Sequence, residues 1–529
     1  MTFGNQTDYV TQADVTIAGA GPAGASAACH LARAGFRVVL LDQRRFPRDK
    51  VCGDFVGPAA LAELDQLGLS WQPTVQNAHE IRDGALYLNG DKVVARPFPR
   101  VAGLRRYGVC IPRILLDDAI VQAAVASGAR LIEDARVTGY ETDATGVTVF
   151  YQGKGGPRSL RSRLLIGADG SSSLISRILR GKKPQSRDQI IAVRAYFEGV
   201  EGAADQADLY INNASFPGYY WLFPTGADSA NVGVGMLLDS WSPSKQKFSQ
   251  FFTQLIETDP AIRLRLAGAK MCGKIAGWPL TTFNPRLPVV GNRVVLAGDA
   301  AGLINPLSGE GIQYALRSGR WTLEALREAL SRDHLSVAGL RPYAKRVQAE
   351  MAYDMALSRL IIDLARNRAL KSLWLAALEV IAKRGASDSD YYNLAAGVFA
   401  GVIPTRQLLT RPFLWRTASS AAMAGYAVLR APRQLVNGGI TLAKTLGSMF
   451  KDSLAHPVAT LGWGLDCALS TLELAKQMAI STVENIQNAA EYSVPFATKT
   501  VINNGPSAIG TSLSQDSEQE KRSIPAEAA

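Results

Sequence analysis

Two rhythms of apolar and polar residues run through this chain. Near its start an apolar strand, Val15-Thr-Ile-Ala18, enters the glycine-rich turn Gly19-Ala-Gly-Pro-Ala-Gly24. A helical stretch from Ala25 to Ala34 stops at Gly35, and Arg37-Val-Val-Leu-Leu41 follows as a second strand ending in Asp42. Strand, turn, helix and strand in this order predict one complete βαβ unit. The pattern then predicts an amphipathic helix from Pro58 to Leu67, a β-ribbon over 84–88 and 91–95, and a helix opened by Pro112-Arg113 that stops at Gly128. Strands are expected at 130–132, 147–151 and 163–166, the last leading into Gly167-Ala-Asp-Gly170. From Ile190 to Trp278 the alternation is mainly of period two, with strands at 192–197, 219–224 and 230–236 and a helical insertion around 245–256. Arg293-Val-Val-Leu-Ala297 brings the chain back to the first sheet, and a helix begins near Gly309. Beyond Leu340 the pattern is helical to about Gly385.

Composition adds two constraints. A length of 529 residues exceeds what one hydrophobic core usually serves, so several domains are expected. The net charge of +11 is concentrated late, since 391–451 holds no acidic residue but carries Arg406, Arg411, Arg416, Arg430, Arg433, Lys444 and Lys451. Apolar runs between these cations fall short of the ~18 residues needed to cross a bilayer. The mixture suits helices lying on an anionic membrane surface, or a basic solvated face on ordinary packed helices. No nucleic-acid motif accompanies it, so nucleic acid is not an expected partner. Residues Met1 to Asp14 lack an apolar signal core, which makes the expected location cytoplasmic with peripheral membrane association. Five scattered cysteines without C-x-x-C spacing and four isolated histidines predict free thiols and no metal site.

The chemistry lies in the glycine turns. Gly19 makes the first turn, Gly21 leaves room for a pyrophosphate, and Gly24 lets the helix lie close to the strand, with Asp42 at the position of a ribose acid. Gly167-Ala-Asp169-Gly170 and Gly298-Asp299 follow at long spacing. Together they resemble the FAD fingerprint, the second "DG" motif and the "GD" motif of the flavoprotein monooxygenase and halogenase superfamily. Two further segments choose a branch. Pro47-Arg-Asp-Lys-Val-Cys-Gly53 and Tyr219-Tyr-Trp-Leu-Phe-Pro224, followed by Ala230-Asn-Val-Gly-Val-Gly235, resemble the P-R-x-K-x-C-G loop and Y-x-W-x-F-P sheet element of the geranylgeranyl reductases.

That resemblance covers about 15–415 and implies an α/β fold. It consists of a discontinuous Rossmann-type FAD-binding domain (1–185 and 286–335), a β-rich substrate domain (186–285) and a helical C-terminal region (336–415). A basic helical extension (416–510) and a disordered tail (511–529) would follow. The implied FAD contacts are Gly19, Gly21, Ala23, Gly24, Asp42, Arg113, Asp169, Gly170, Gly298, Asp299, Pro306, Gly309, Gly311 and Ile312. Arg113 is expected near the pyrophosphate or, read without the resemblance, as a solvated residue at a helix start. A helix opening at Pro306–Ile312 would aim its dipole at the flavin edge where charge collects on reduction, or would be an ordinary helix capped by Ser308. Cys52 is implied near the ring, where a thiol can position the substrate or donate a proton; otherwise it is a small buried hydrophobe. Tyr219, Trp221 and Phe223 would form the wall facing a prenyl chain.

The expected activity is reduction of isolated C=C bonds in an isoprenoid lipid by reduced flavin, with NADPH, NADH or another reductant as electron donor. A flavin monooxygenase acting on a hydrophobic natural product is the alternative. Halogenation is disfavoured, because the W-x-W-x-I-P motif is missing and no lysine falls between Val51 and Asp91. The chain departs from the family at Thr225, where a lysine is common, which puts recognition of a substrate diphosphate there in doubt.

Overall fold

Val15, Ile17, Leu40, Leu41, Leu165 and Ile166 are wholly buried, because their strands lie in the middle of a parallel sheet with helices on its faces. The computed structural model describes residues 12–241, 246–430, 451 and 457–492. Its main sheet runs in the order Val290–Gly291, Val294–Leu296, Gly156–Gly167, Gln12–Ala18, Val38–Leu41, Arg130–Ile132, with Val147–Gly153 and Arg136–Thr142 extending from the long third member. The central neighbours are parallel, and their register sets Ala18 beside both Leu41 and Gly167, and Gly167 beside Leu296. Three strands therefore end level, and each continues directly into one of the three glycine motifs. This is the mouth of an open α/β sheet, where such folds place their ligands.

The helix Pro22–Arg33 crosses the later helix Ile312–Ser331 at very short range. A Cβ on Gly319 would stand 2.6 Å from the Ser26 Cβ, and Ser26 Oγ donates to the Leu316 carbonyl at 2.9 Å. The chain thus returns after the second domain to the face of its own first helix.

A second sheet runs Lys270–Thr281, Gln189–Glu198, Ser229–Leu237, Tyr219–Pro224, Gln206–Ile211, Asp83–Leu88, Asp91–Pro97. Its last two strands are the ribbon that the expected boundary of 185 assigned to the FAD domain. The structure moves that ribbon into the substrate sheet, since Asp83–Leu88 pairs in parallel with Gln206–Ile211. Strand period, not chain order, sets the orientation of this sheet's side chains. Tyr220, Leu222, Val232 and Val234 point to one face and pack with Phe248, Phe251, Phe252 and Leu255 of the helix Phe248–Thr258. Tyr219, Trp221 and Phe223 therefore point to the other face.

The C-terminal region is helical over Val337–Ala365, Lys371–Ser387, Ser389–Phe399, Arg411–Arg430 and Pro457–Tyr492. The chain through Ile480 forms one unit, and Ser481 begins another. The expected tail at 511–529 lies outside the described residues, as do Arg433 and Lys444.

Gly24 fixes the first turn, since a Cβ there would stand 1.9 Å from the Gly19 carbonyl oxygen. Gly24→Ala is expected to lower stability by about 2–3 kcal/mol in urea unfolding, because backbone cannot yield as a flexible side chain can. Gly139→Ala is the control. A Cβ there meets nothing within 4 Å, so its unfolding midpoint should stay within about 0.5 kcal/mol of the parent.

Candidate active site

The first turn is built for an anion. Gly19 has φ +98°, and a Cβ on it would stand 2.4 Å from the Ala168 carbonyl, so only glycine brings the two motifs this close. The buried helix start at Pro22 has no capping side chain, and Gly21 faces open space apart from an Arg48 nitrogen 3.7 Å from its virtual Cβ. An uncapped buried helix N-terminus needs a partner for its amides, and a pyrophosphate supplies one. Asp42 is buried at the end of the second strand, where Oδ2 accepts from the Ala20 amide (2.9 Å) and Oδ1 from the Arg44 amide (2.9 Å). The residues present fit FAD on these grounds: the Gly19–Gly24 turn with Ala23, Asp42, and the GD turn at Gly298-Asp299 would hold it.

Asp169 is drawn into the protein. It accepts from the Leu174 and Ile175 amides and the Ser173 hydroxyl, capping the helix Leu174–Arg180, while Gly170 takes φ +80° to turn the chain away. Burial pushes its carboxyl upward against those hydrogen bonds. Asp299 instead meets Lys50 Nζ at 3.2 Å and Ser171 Oγ at 3.4 Å. The cysteine loop is thereby tied to the GD turn.

Arg113 is only 3% exposed, so the solvated alternative fails. It forms a two-pronged pair with Asp117 (2.7 and 3.0 Å), which also accepts from Arg48 at 3.1 Å, and Arg48 reaches Asp42 at 3.4 Å. Burial opposes the Arg113 charge, yet Asp117 and the nearby Cys52 hold its pKa above the ordinary value. A chain of alternating charges thus runs from the dinucleotide turn to Cys52.

Cys52 is half-buried. Its carbonyl accepts from Asn231 Nδ2 at 2.8 Å, and a Cβ on the next residue, Gly53, would stand 3.2 Å from the Phe223 ring. Trp221 lies buried with its indole N–H donating to Asn231 Oδ1 at 3.0 Å. Its space comes from the V-G-V-G alternation: a Cβ on Gly233 would lie 2.2 Å from the indole, whereas Val232 and Val234 point away. Tyr219 donates to the Ser308 carbonyl at 2.5 Å, joining the aromatic strand to the Pro306–Gly311 loop. The helix beyond that loop starts at Ile312 with Gly311 as cap residue and no capping side chain. Ser308 is therefore not its cap, and its hydroxyl accepts from the Glu310 amide at 3.4 Å instead. Gly309, at φ +70°, lies 3.8 Å by its virtual Cβ from the Tyr219 hydroxyl. Thr225, the departure from the family pattern, closes a turn by bonding Ser229.

Sequence reading missed three parts of this site. Asp54 is wholly buried with φ +63°; Oδ2 accepts from Tyr196 (2.5 Å) and Asn231 (2.9 Å), while Oδ1 has no partner among the described residues. Burial pushes its pKa up to about 6. Arg194 pairs with Asp49 at 2.7 Å and lies over the Tyr196 ring at 4.4 Å. Finally, the C-terminal helix Ser389–Phe399 reaches in, where Phe399 meets Tyr219 edge-on at 5.8 Å and the Gly401 carbonyl accepts from Gln313 at 3.1 Å. Gln313 also bonds Glu310, whose pKa enclosure pushes up to about 8. The adjacent D in C-G-D was the one local signal for Asp54; the others depend on contacts across hundreds of residues.

Residues 12–333 match the family model for the FAD binding domain. The menaquinone reductase of Mycolicibacterium smegmatis is 29% identical over 431 residues, spanning 78% of this chain and 97% of that protein. Digeranylgeranylglycerophospholipid reductase 1 of Methanococcoides burtonii is 29% identical over 65% of this chain and 82% of its own. A geranylgeranyl bacteriochlorophyll reductase-like protein from Thermoplasma acidophilum shares the fold with TM-score 0.63 at 20% identity, over 75% of this chain and 98% of that one.

Because the folded-state pKa of Asp54, about 6, lies above the ordinary carboxylate value, folding retains a proton there that the unfolded chain releases. The stability so conferred is complete below about pH 4 and is lost as pH rises through about 6. Asp54→Asn keeps both accepted hydrogen bonds but cannot ionise. Its urea stability is expected to decline less than the parent's between pH 4.5 and 7, by about 2 kcal/mol; parallel declines would show that Asp54 does not carry this proton.

Proposed function

We propose a reaction for a chain that belongs to the geranylgeranyl reductase family of FAD-dependent oxidoreductases, enzymes built on the FAD binding domain. The reaction is saturation of isolated C=C bonds in a prenyl lipid. The observation that carries this reading is the packing of the Cys52–Gly53 loop against Trp221 and Phe223, beside the Lys50–Asp299 contact. The Cys52 thiol lies within electrostatic reach of Tyr219, on the same aromatic strand, and of Arg113. Two relatives bear names for reduction of menaquinone and of digeranylgeranylglycerophospholipid, and both names favour a lipid substrate.

Bound FAD, once reduced, supplies a hydride. The chain's own residues do the rest. Tyr219, Trp221, Phe223 and Phe399 exclude water and align an apolar chain. Cys52 gives a proton to the alkene carbon that does not receive the hydride, and the field of Arg113 beside it stabilises the thiolate left behind. Asp54, with Tyr196 and Asn231 as donors, fixes the loop that carries Cys52 and lies two residues away as a proton reserve.

We attribute collection of such a substrate to the C-terminal helices. No helix among the described residues is long and apolar enough to cross a membrane. Trp415 nevertheless stands in solvent on a helix inside the acid-free tract 391–451, and Leu461, Leu465 and Leu472 on the helix after it, an arrangement suited to an anionic lipid surface.

The reading is tested by the product mass formed when the dithionite-reduced flavoprotein meets a lipid extract with and without oxygen. A prenyl lipid gaining pairs of hydrogen atoms in the anaerobic sample is expected; a species gaining one oxygen only in air would make this a monooxygenase. Cys52→Ala and Cys52→Ser are each expected to lower the hydrogenation rate by about a hundredfold with flavin content unchanged. Full activity in both would remove Cys52 from the proton transfer.

A further inference from the structure

The helix Leu174–Arg180 ends at Gly181 and runs into Lys182-Lys183-Pro184. This segment, the 284–287 turn, the long helix Val337–Ala365 and residues Ser470 and Glu473 enclose a cleft of about 230 Å³. It shares no lining residue with the dinucleotide turn, the Cys52 loop or the aromatic strand.

Six cations line it: Arg180, Lys182, Lys183, Arg187, Arg286 and Arg359. Two carboxylates, Asp188 and Glu473, face them and are both engaged. Asp188 is taken by Arg359 and by Asn284 at 3.0 Å, and Glu473 accepts from Gln477 at 2.8 Å and pairs with Lys476 at 3.5 Å. Arg187 is held by Asp466, although its Nε is buried without an acceptor among the described residues. Four cations remain. Among the described residues, the Arg180 side chain donates only to the Pro288 and Ala301 carbonyls (3.1 and 3.0 Å), and that of Arg286 only to the Leu469 carbonyl at 3.1 Å. Lys182 and Lys183 form no ion pair among the described residues.

Arginines anchored by carbonyls are fixed in place, but neither forms an ion pair among the described residues. Burial lowers the pKa of Arg180 to about 10 against the opposing pull of Asp188, a carboxylate already engaged by Arg359 and Asn284. Cations converging on a concave surface focus a positive field and attract an anion. Donors approaching from several walls suit a tetrahedral oxyanion better than a planar carboxylate.

We propose that this cleft binds the phosphate group of a ligand, with Lys182, Lys183 and Arg286 donating to its oxygens and Arg180 adding charge from beneath. Two sources carry that chemistry: the headgroup of an anionic phospholipid and a soluble dinucleotide phosphate. The proposal is independent of the reductase reading.

The test is calorimetric titration of the full-length, FAD-loaded protein with inorganic pyrophosphate. One saturable site is expected, weakened about tenfold by Arg286→Gln and about a hundredfold by K182A/K183A, whose side chains are exposed and leave the core untouched. Absence of saturable binding, or equal affinity in parent and double variant, overturns the proposal. Displacement of bound pyrophosphate by phosphatidylglycerol vesicles, with phosphatidylcholine vesicles inert, assigns the site to a membrane headgroup. Displacement by NADP⁺ with both vesicles inert assigns it to a soluble phosphate ester. If neither displaces it, the cleft is a counter-ion site and the proposal fails.

Discussion

Everything else in this molecule is arranged around the level ending of three parallel strands. Because Ala18, Gly167 and Leu296 lie side by side in register, the turns that follow them must share one small volume. That volume admits no side chain, since a Cβ on Gly19 would strike the Ala168 carbonyl and one on Gly298 would stand 2.7 Å from the Ala23 Cβ. Three segments separated by more than a hundred residues each are compressed until only backbone remains between them. The resulting mouth presents amide donors and helix dipoles without side chains in the way, which is the physical requirement for a bound pyrophosphate.

The second sheet solves the opposite problem of presenting bulk. Strand period two sends Tyr220 and Leu222 into a core under the helix Phe248–Thr258 and leaves Tyr219, Trp221 and Phe223 for the site. A wall of three large rings on one strand would crowd its neighbour, and glycine at positions 233 and 235 removes the conflict on that face alone. One alternation thus serves packing on one side and, in the proposed reading, a substrate wall on the other.

Much of this was legible in the sequence because the informative residues are local. Gly19, Gly24, Asp42, Gly170 and Asp299 act within a few residues of a strand end, so spacing reveals them. Strand 219–224 could be drawn to the residue, since its alternation is unbroken and Pro224 ends it. What the sequence concealed depends on distant partners. The 83–97 ribbon joins the second sheet only because Gln206–Ile211 offers an edge. The cap at Ile312 fell to Gly311 because Ser308 is held elsewhere, its carbonyl by Tyr219 and its hydroxyl by Glu310. Phe399 and Gly401 reach the site from a helical region whose own periodicity announces only that it is a helix.

The buried charges connect these two parts. Arg48 and Arg113 alternate with Asp42 and Asp117 along a nearly dry path, so each charge is compensated by its neighbours rather than by water. Removing one member would strand its neighbour in low dielectric, a penalty larger than the net worth of the pair. Such a chain is a poor source of stability compared with apolar packing of the same volume, and its retention here follows from what it touches at either end. At one end Asp42 organises the turn that would hold the cofactor; at the other the Arg113 guanidinium lies beside Cys52. Asp54, two residues along from that cysteine, has one carboxylate oxygen unpartnered among the described residues and a raised affinity for protons. In the reading proposed above, an acid that binds protons readily on the same loop as the thiol would give saturation of an alkene beside an apolar wall a proton supply that does not depend on bulk water.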